Sequence, residues 1–494
     1  MNFFCLFSLV TKLNDRTINK ILYKQEELMN RFLMMTAICL GAFVSHFTAG
    51  VINVSLPQFV DLFHSDLAVV QWITTGYLLV IASLLPLMGK LGDRYSHRSI
   101  HNTGYVVFAL SSILIAFSPN IAIMLILRAV QAVGASMFQA TNIAIIAIYL
   151  PKEQRGRALG IVSTAVALGA MSGPVAGGFI AEWLEWQWLF LVHVPVSLIA
   201  TLLAFHYIPF RKKDSLAGRE SVTGKVPLDR FGAILFIISI AAIIYAISAA
   251  QLVGFIIALT GFTAFVLWEL RQSSPFLPIR LFRTLSLSGG LLISMMSFMM
   301  ANTVLVALPF YLTGKAGFSP SISGYIMAIY PILLGIAGPV AGGWSDRYGS
   351  SRLMLLGILG MGLSLIVLAL VPDQTQANVL MLLGSLSLLG IGMGLLSAPN
   401  NSFIMHYAPK EHTGSIGGMI ALTRNLGMVI GAALGLGAMK NATASSIDQE
   451  HVSLLAALRP VLGGYILITV CLLVILGLNL LQVARRQQAV DRQL

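Results

Sequence analysis

Arg128 and Arg424 are where any chemistry in this chain has to start, because each stands inside an apolar stretch. A charged side chain at the centre of a membrane helix costs about 2.5 kcal/mol or more, so each must face a cavity or a partner. Arg128 falls about 10 Å along its stretch by helix rise. Gln131, three residues on, shares its face, and Asn425 adjoins Arg424. His46 is a candidate proton carrier, since imidazole titrates near neutral pH. Thr48 and Asn53 follow it on the same stretch. No acidic residue falls mid-stretch: Asp61, Asp66, Glu182, Glu185 and Glu269 all lie near ends. Two deep arginines without a central carboxylate point to a neutral, amphipathic or anionic ligand.

The composition says what must hold these residues. Hydrophobic residues make up 57% of the chain and charged residues 10%, against roughly 25% charge in a soluble domain. Apolar runs of about 20 residues cross about 30 Å of hydrocarbon as a helix. Fourteen such spans are expected, at 34–57, 69–89, 100–118, 121–149, 157–181, 187–208, 231–249, 251–270, 287–312, 321–343, 351–371, 378–404, 414–437 and 459–482. Basic residues stay on the cytoplasmic side. With both termini inside, the outside loops hold only Lys315, Lys440 and Arg459, a sorting that an odd number of spans would scramble. The net charge of +12 therefore belongs to loops at one membrane face and implies no nucleic acid. The three cysteines are scattered, with neither disulfide nor metal spacing. No Gly-rich phosphate loop and no nucleophile–base arrangement occurs, so no enzyme, cofactor or metal is expected.

The chain repeats itself. The charged turn Gly89-Lys90-Leu91-Gly92-Asp93-Arg94-Tyr95-Ser96-His97-Arg98 returns around Asp346 and Arg347. Leu56-Pro57 is echoed by Leu308-Pro309, and Gly169, Gly173 and Gly177 by Gly427, Gly431 and Gly435. The offset is nearly constant, the mark of a duplication. The expected fold is an all-α membrane protein of two six-helix bundles, at 34–210 and 287–482. A cytoplasmic loop with two inserted helices lies between them at 211–286. A lead-in at 1–33 and a tail at 483–494 are expected in the cytoplasm. Glycines at every fourth residue let a neighbouring helix approach closely, and Pro174 bends its helix by removing the hydrogen bond to the Ala170 carbonyl.

On these residues the chain resembles the major facilitator superfamily, and within it the fourteen-span drug:proton antiporter branch, from about residue 33 to 482. The family's loop signature matches at Gly89, Leu91, Asp93, Arg94 and Arg98, with departures at Ser96 and His97. The fourth-span signature matches at Arg128, Gln131 and Gly134, and the antiporter signature matches completely at Gly169, Gly173, Pro174, Gly177 and Gly178. In this branch an Asp often stands where this chain has Thr48, and an Asn where it has His193.

The resemblance implies a major facilitator fold with substrate bound near the midplane and alternating access by rocking of the halves. It implies that Asp93 pairs with nearby basic residues and with a helix N-terminus in the other half, for which Thr413-Gly414-Ser415 is the candidate. An anion there gains about 0.3–1 kcal/mol, a latch that can be broken in each cycle. Asp346 and Arg347 are a reduced copy. The span-five glycines and Pro174 are implied to act as a gate or proton-leak barrier. The expected function is proton-coupled efflux of drugs or other amphipathic compounds from a cell membrane. Its partners would be a small-molecule substrate, protons and lipid, the energy source a proton gradient, and the working unit a monomer. Carriage of an anionic metabolite or lipid by Arg128 and Arg424 is the alternative, and a non-transporting sensor or partner subunit is the alternative of another class.

Overall fold

Neither proline nor glycine occurs between Phe3 and Leu40, and the chain runs there as one helix, α1 (Phe3–Leu62). The lead-in and the first span are thus a single element, with no break at the expected boundary. The computed structural model describes residues 3–209, 229–249, 252–272, 277, 279, 284–371, 379–407, 413–445 and 454–491. After α1 come α2 (Leu67–Val70), α3 (Trp72–Arg94), α4 (His97–Ala116), α5 (Ile121–Tyr149), α6 (Lys152–Trp183), α7 (Trp188–Leu191) and α8 (Val194–Tyr207). The inserted pair is α9 (Arg230–Ala249) and α10 (Leu252–Arg271). The second half holds α11 (Leu285–Phe310), α12 (Pro320–Tyr348), α13 (Ser350–Ala369), α14 (Val379–His406), α15 (Thr413–Ser445) and α16 (Leu454–Asp491). Among the described residues, fourteen helices are long and apolar enough to cross a membrane.

Local chemistry sets the starts. Ser96 accepts from the Ser99 N–H at 3.4 Å, and Asn120 accepts from the Ile123 N–H at 3.0 Å, each satisfying a free donor of a first turn. The repeated turn is built differently in the second half, where Gly349 turns α12 into α13 at φ 87°. A side chain there is strained by about 1–3 kcal/mol. Gly349→Ala is therefore expected to lower the thermal unfolding temperature of the purified protein, which a melting curve would read; an unchanged curve would contradict the turn.

In the first half α1 packs on α6 and α8, α5 on α3 and α4, and α4 on α8. The second half repeats the pattern, with α11 on α15 and α16, α14 on α12 and α13, and α13 on α16. The halves meet where α6 packs on α12, α3 on α15 and α1 on α11. Exchanging the halves converts the first seam into the second and leaves the third in place, as a pseudo-twofold axis requires. α9 and α10 pack on each other, and α9 lies against both α3 and α15, across one seam.

Glycine decides how close these helices come. A Cβ on Gly169, Gly173 or Gly177 would run into the backbone of α1 at Phe43, Phe47, Gly50 and Val51. The repeat does the same on α11, with Gly427, Gly431 and Gly435 against Met295, Met299 and Thr303. This glycine stripe therefore lies within a half, and it is Pro174 and Gly178 that meet the other half, at Gly324 and Pro320. The seam between α6 and α12 is not uniform along its length. Gly324 and Gly342 lie on one face of α12, about five turns apart. A Cβ at Gly324 would strike the Pro174 carbonyl, whereas at Gly338 or Gly342 nothing lies within 4 Å. α6 and α12 are therefore pressed together at the end carrying Glu182 and not at Gly338 and Gly342, while near the Asp93 turn the halves still touch across α5 and α15, where a Cβ on Gly417 would lie 3.2 Å from Ile143.

Candidate functional site

Arg128 is 1% exposed and sits at the centre of the first half. Its Nε donates to the Ile73 carbonyl at 3.1 Å, its Nη1 to Thr48 Oγ1 at 3.4 Å and also to Gln131 Oε1. The guanidinium lies over the Tyr77 ring at 3.9 Å, with Phe190 at 5.8 Å. Such a stack contributes about 2 kcal/mol when desolvated, which offsets part of the cost of burying the charge. Nη2 has no hydrogen-bond partner among the described residues.

Gln131 extends the network. Its Nε2 donates to Ser112 Oγ at 2.6 Å and lies 3.3 Å from His193 Nε2. Ser112 Oγ donates to the Phe108 carbonyl at 2.6 Å, so it has no proton left for His193 Nε2, 3.1 Å away. His193 Nε2 therefore either accepts from Gln131 Nε2 or donates to a Ser112 Oγ lone pair, and the other ring nitrogen is Nδ1. That nitrogen is buried without a partner among the described residues. The arrangement fastens α1, α3, α4, α5 and the start of α8 to one cation.

A second group faces the other half. His46 Nδ1 lies 3.0 Å from the Ala42 carbonyl and 3.2 Å from Ser45 Oγ. Ser45 in turn accepts from Gln139 of α5 at 2.9 Å. Arg424 of α15 is near enough for its charge to act on the His46 ring. Its guanidinium lies 6.0 Å from the Phe298 ring centroid, and its Nε is buried with no partner among the described residues. On the His46 side of α1, an apolar cavity of about 280 Å³ opens between α1 and α6, lined by Phe32, Met35, Cys39, Phe43, Ile161 and Leu168.

The structure thus brings Thr48, Arg128 and Gln131 together and sets His46 opposite Arg424. Asn53 is engaged elsewhere, accepting from Thr74 Oγ1 at 3.1 Å, and Asn425 donates back to Ala421 of its own helix at 2.8 Å. Sequence reasoning undervalued His193 and passed over Tyr77 and Ser112. Their only signal was polarity within apolar spans, and nothing in the sequence placed them around Arg128.

At the charged turn, Asp93 is 57% exposed and lies 3.1 Å from His97 Nε2, one helical turn on. Arg94 lies over Tyr95 at 5.7 Å, and Arg98 donates to the Phe205 carbonyl of α8. The side chains of Thr413–Ser415, the expected partners of Asp93, lie outside the described residues, as does that of Asp346. Arg347 lies over Tyr348 at 5.6 Å. Lys90 is within electrostatic reach of Glu269 and Asp229 of the inserted pair and of Asp93. Within the insert Asp229 ties α9 to α10, accepting from Gly232 N–H at 2.8 Å and Trp268 Nε1 at 2.9 Å.

Two matching helical halves that meet along seams related by a pseudo-twofold axis, with a deep arginine in each half, define a membrane carrier that works by moving its halves. The chain belongs to the Major Facilitator Superfamily, which it matches over residues 38–432 and again over 290–488. It is 29% identical over 406 residues to the riboflavin transporter RibZ of Clostridioides difficile (strain 630), covering 82% of this chain and 87% of that one. It is 27% identical over 437 residues to the multidrug resistance protein Stp of Mycobacterium tuberculosis (strain CDC 1551 / Oshkosh), covering 86% and 79%. A solved POT family transporter in complex with a thioalcohol-conjugated peptide superposes with a TM-score of 0.67 at 16% identity, over 91% of this chain and 96% of that one. This protein is a multi-pass membrane transporter and not an enzyme.

Proposed function

We propose that this transporter exports drugs or other amphipathic compounds in exchange for protons, working as a monomer, with both termini and the Asp93 turn in the cytoplasm. The observation that carries the reading is the apolar cavity between α1 and α6. It is lined by Phe32, Met35, Cys39, Phe43, Ile161 and Leu168, and farther along α1 His46 faces Arg424 of the other half. A compound with apolar bulk and a few acceptors fits such a surface, and the multidrug resistance protein among the relatives supports that class. His46 is the group on this side of α1 whose chemistry suits proton carriage.

The test is efflux from proteoliposomes of the purified protein across a panel of amphipathic compounds, with riboflavin included because one relative transports it. An imposed pH gradient is expected to accelerate efflux, and His46→Ala to abolish that acceleration while leaving downhill flux. Efflux indifferent to collapse of the gradient would remove proton coupling from the proposal. A His46→Ala protein that still responds would remove His46.

A further inference from the structure

We propose that Glu182 is a latch that holds the two halves shut at the end of the bundle opposite the Asp93 turn. The start of α12 has few free N–H groups to satisfy. Pro320, its first residue, has none. The Ile322 N–H goes to Ser319 Oγ at 3.4 Å and the Ser323 N–H to the Ser319 carbonyl at 2.9 Å. The Ser321 N–H remains, and it donates to Glu182 Oε2 of α6 at 3.0 Å. The Ser319 hydroxyl also hydrogen-bonds this carboxylate. The last unclaimed donor of a second-half helix is therefore satisfied by a first-half side chain, with its negative charge at the positive end of the helix.

The surrounding backbone makes this contact specific to the closed state. Gly178, one turn before Glu182, lies so close to α12 that a Cβ would strike the Pro320 carbonyl, and Ser321 Oγ donates to the Gly178 carbonyl at 3.4 Å. Gln58 of α1 donates to the Ala181 carbonyl at 2.9 Å, steadying the last turn of α6. Parting of α6 and α12 at this end removes Glu182 from Ser321. Because the carboxylate is exposed, water replaces the lost contacts as the halves separate, so the latch opens without stranding a buried charge. Where the repeat pairs Gly177 with Gly435, it pairs Glu182 with Lys440. The duplication has kept the glycine and not the carboxylate.

The latch rests on the rocking of the halves and not on the substrate or on proton coupling, so its test reads distances. Spin labels go at Leu184 and Ile322, 47% and 46% exposed at this end of the two halves. The full chain, with its native cysteines replaced, is measured in lipid nanodiscs. Glu182→Ala is expected to raise the ratio of long to short distances about fivefold. Glu182→Gln, which keeps an acceptor oxygen, is expected to raise it less. Glu185→Ala, which removes a neighbouring charge outside the latch, is expected to leave it unchanged. A Glu182→Ala distribution equal to that of the unmodified protein would overturn the proposal. So would an equal shift from Glu185→Ala, which would make the effect one of general charge.

Discussion

Arg128→Leu is expected to cut transport per folded molecule at least about a hundredfold, and Arg128→Lys at least about tenfold, the latter equivalent to about 1.4 kcal/mol. Leucine leaves Gln131 Oε1 and Thr48 Oγ1 without their buried donor, and an orphaned buried polar group costs about 1–3 kcal/mol. Lysine keeps the charge but not its shape. An ammonium has no Nε to reach the Ile73 carbonyl and cannot lie flat over Tyr77 as the guanidinium does at 3.9 Å. The loss falls on transport because Arg128 joins helices that must move together. Through Thr48, Ile73 and Gln131 it ties α1, α3 and α5, and through Ser112 and His193 it adds α4 and α8. Initial efflux rates should be measured beside helicity and thermal stability of the same preparations, so that lost function is separated from lost fold. A lysine variant that transports at the unmodified rate would show that a charge alone suffices.

The fold was legible because membrane solvent imposes a coarse code. Apolar length sets the spans, lysine and arginine suggest their direction, and the echo of Asp93 at Asp346 exposes the duplication. The site was legible where a residue violates that code, which is why Arg128, Gln131, His46 and Arg424 stood out from sequence alone. What escaped were partners that violate nothing. Tyr77 and Ser112 are unremarkable within apolar spans, and only the packing of α3 and α4 on α5 turns them towards the guanidinium. Helix spacing grouped Gly169, Gly173 and Gly177 on one face but could not say which neighbour that face meets. The structure gives it to α1 and leaves the contact between halves to Pro174 and Gly178. Glu182 read as a charge at a span end, since its role depends on which N–H groups of α12 remain free, a detail of cap geometry.

Two valine substitutions at glycines of the same repeat-built scaffold are expected to fail in different ways. Gly177→Val should yield little folded protein. Its Cβ alone would collide with the Val51 backbone of α1, before the two methyls are placed. Overpacking of this kind costs about 1–3 kcal/mol or more even where side chains can yield, and backbone yields less. Separating α1 from α6 would also loosen the neighbouring approaches at Gly169 and Gly173. Gly342→Val should fold normally, because nothing lies within 4 Å of its Cβ position in this state. Yet Gly342 shares the face of α12 on which Gly324 meets α6, and in a rocking carrier that face must approach α6 at the Asp93 end in the opposite state. Valine there is expected to keep α6 and α12 from closing at the Asp93 end, abolishing transport while thermal stability stays within about 0.5 kcal/mol of the unmodified value. Size-exclusion profile, melting curve and efflux rate on both variants decide the matter. A Gly342→Val protein with full transport would mean that α6 and α12 never close at this end, and that the parted seam is a fixed feature of the fold.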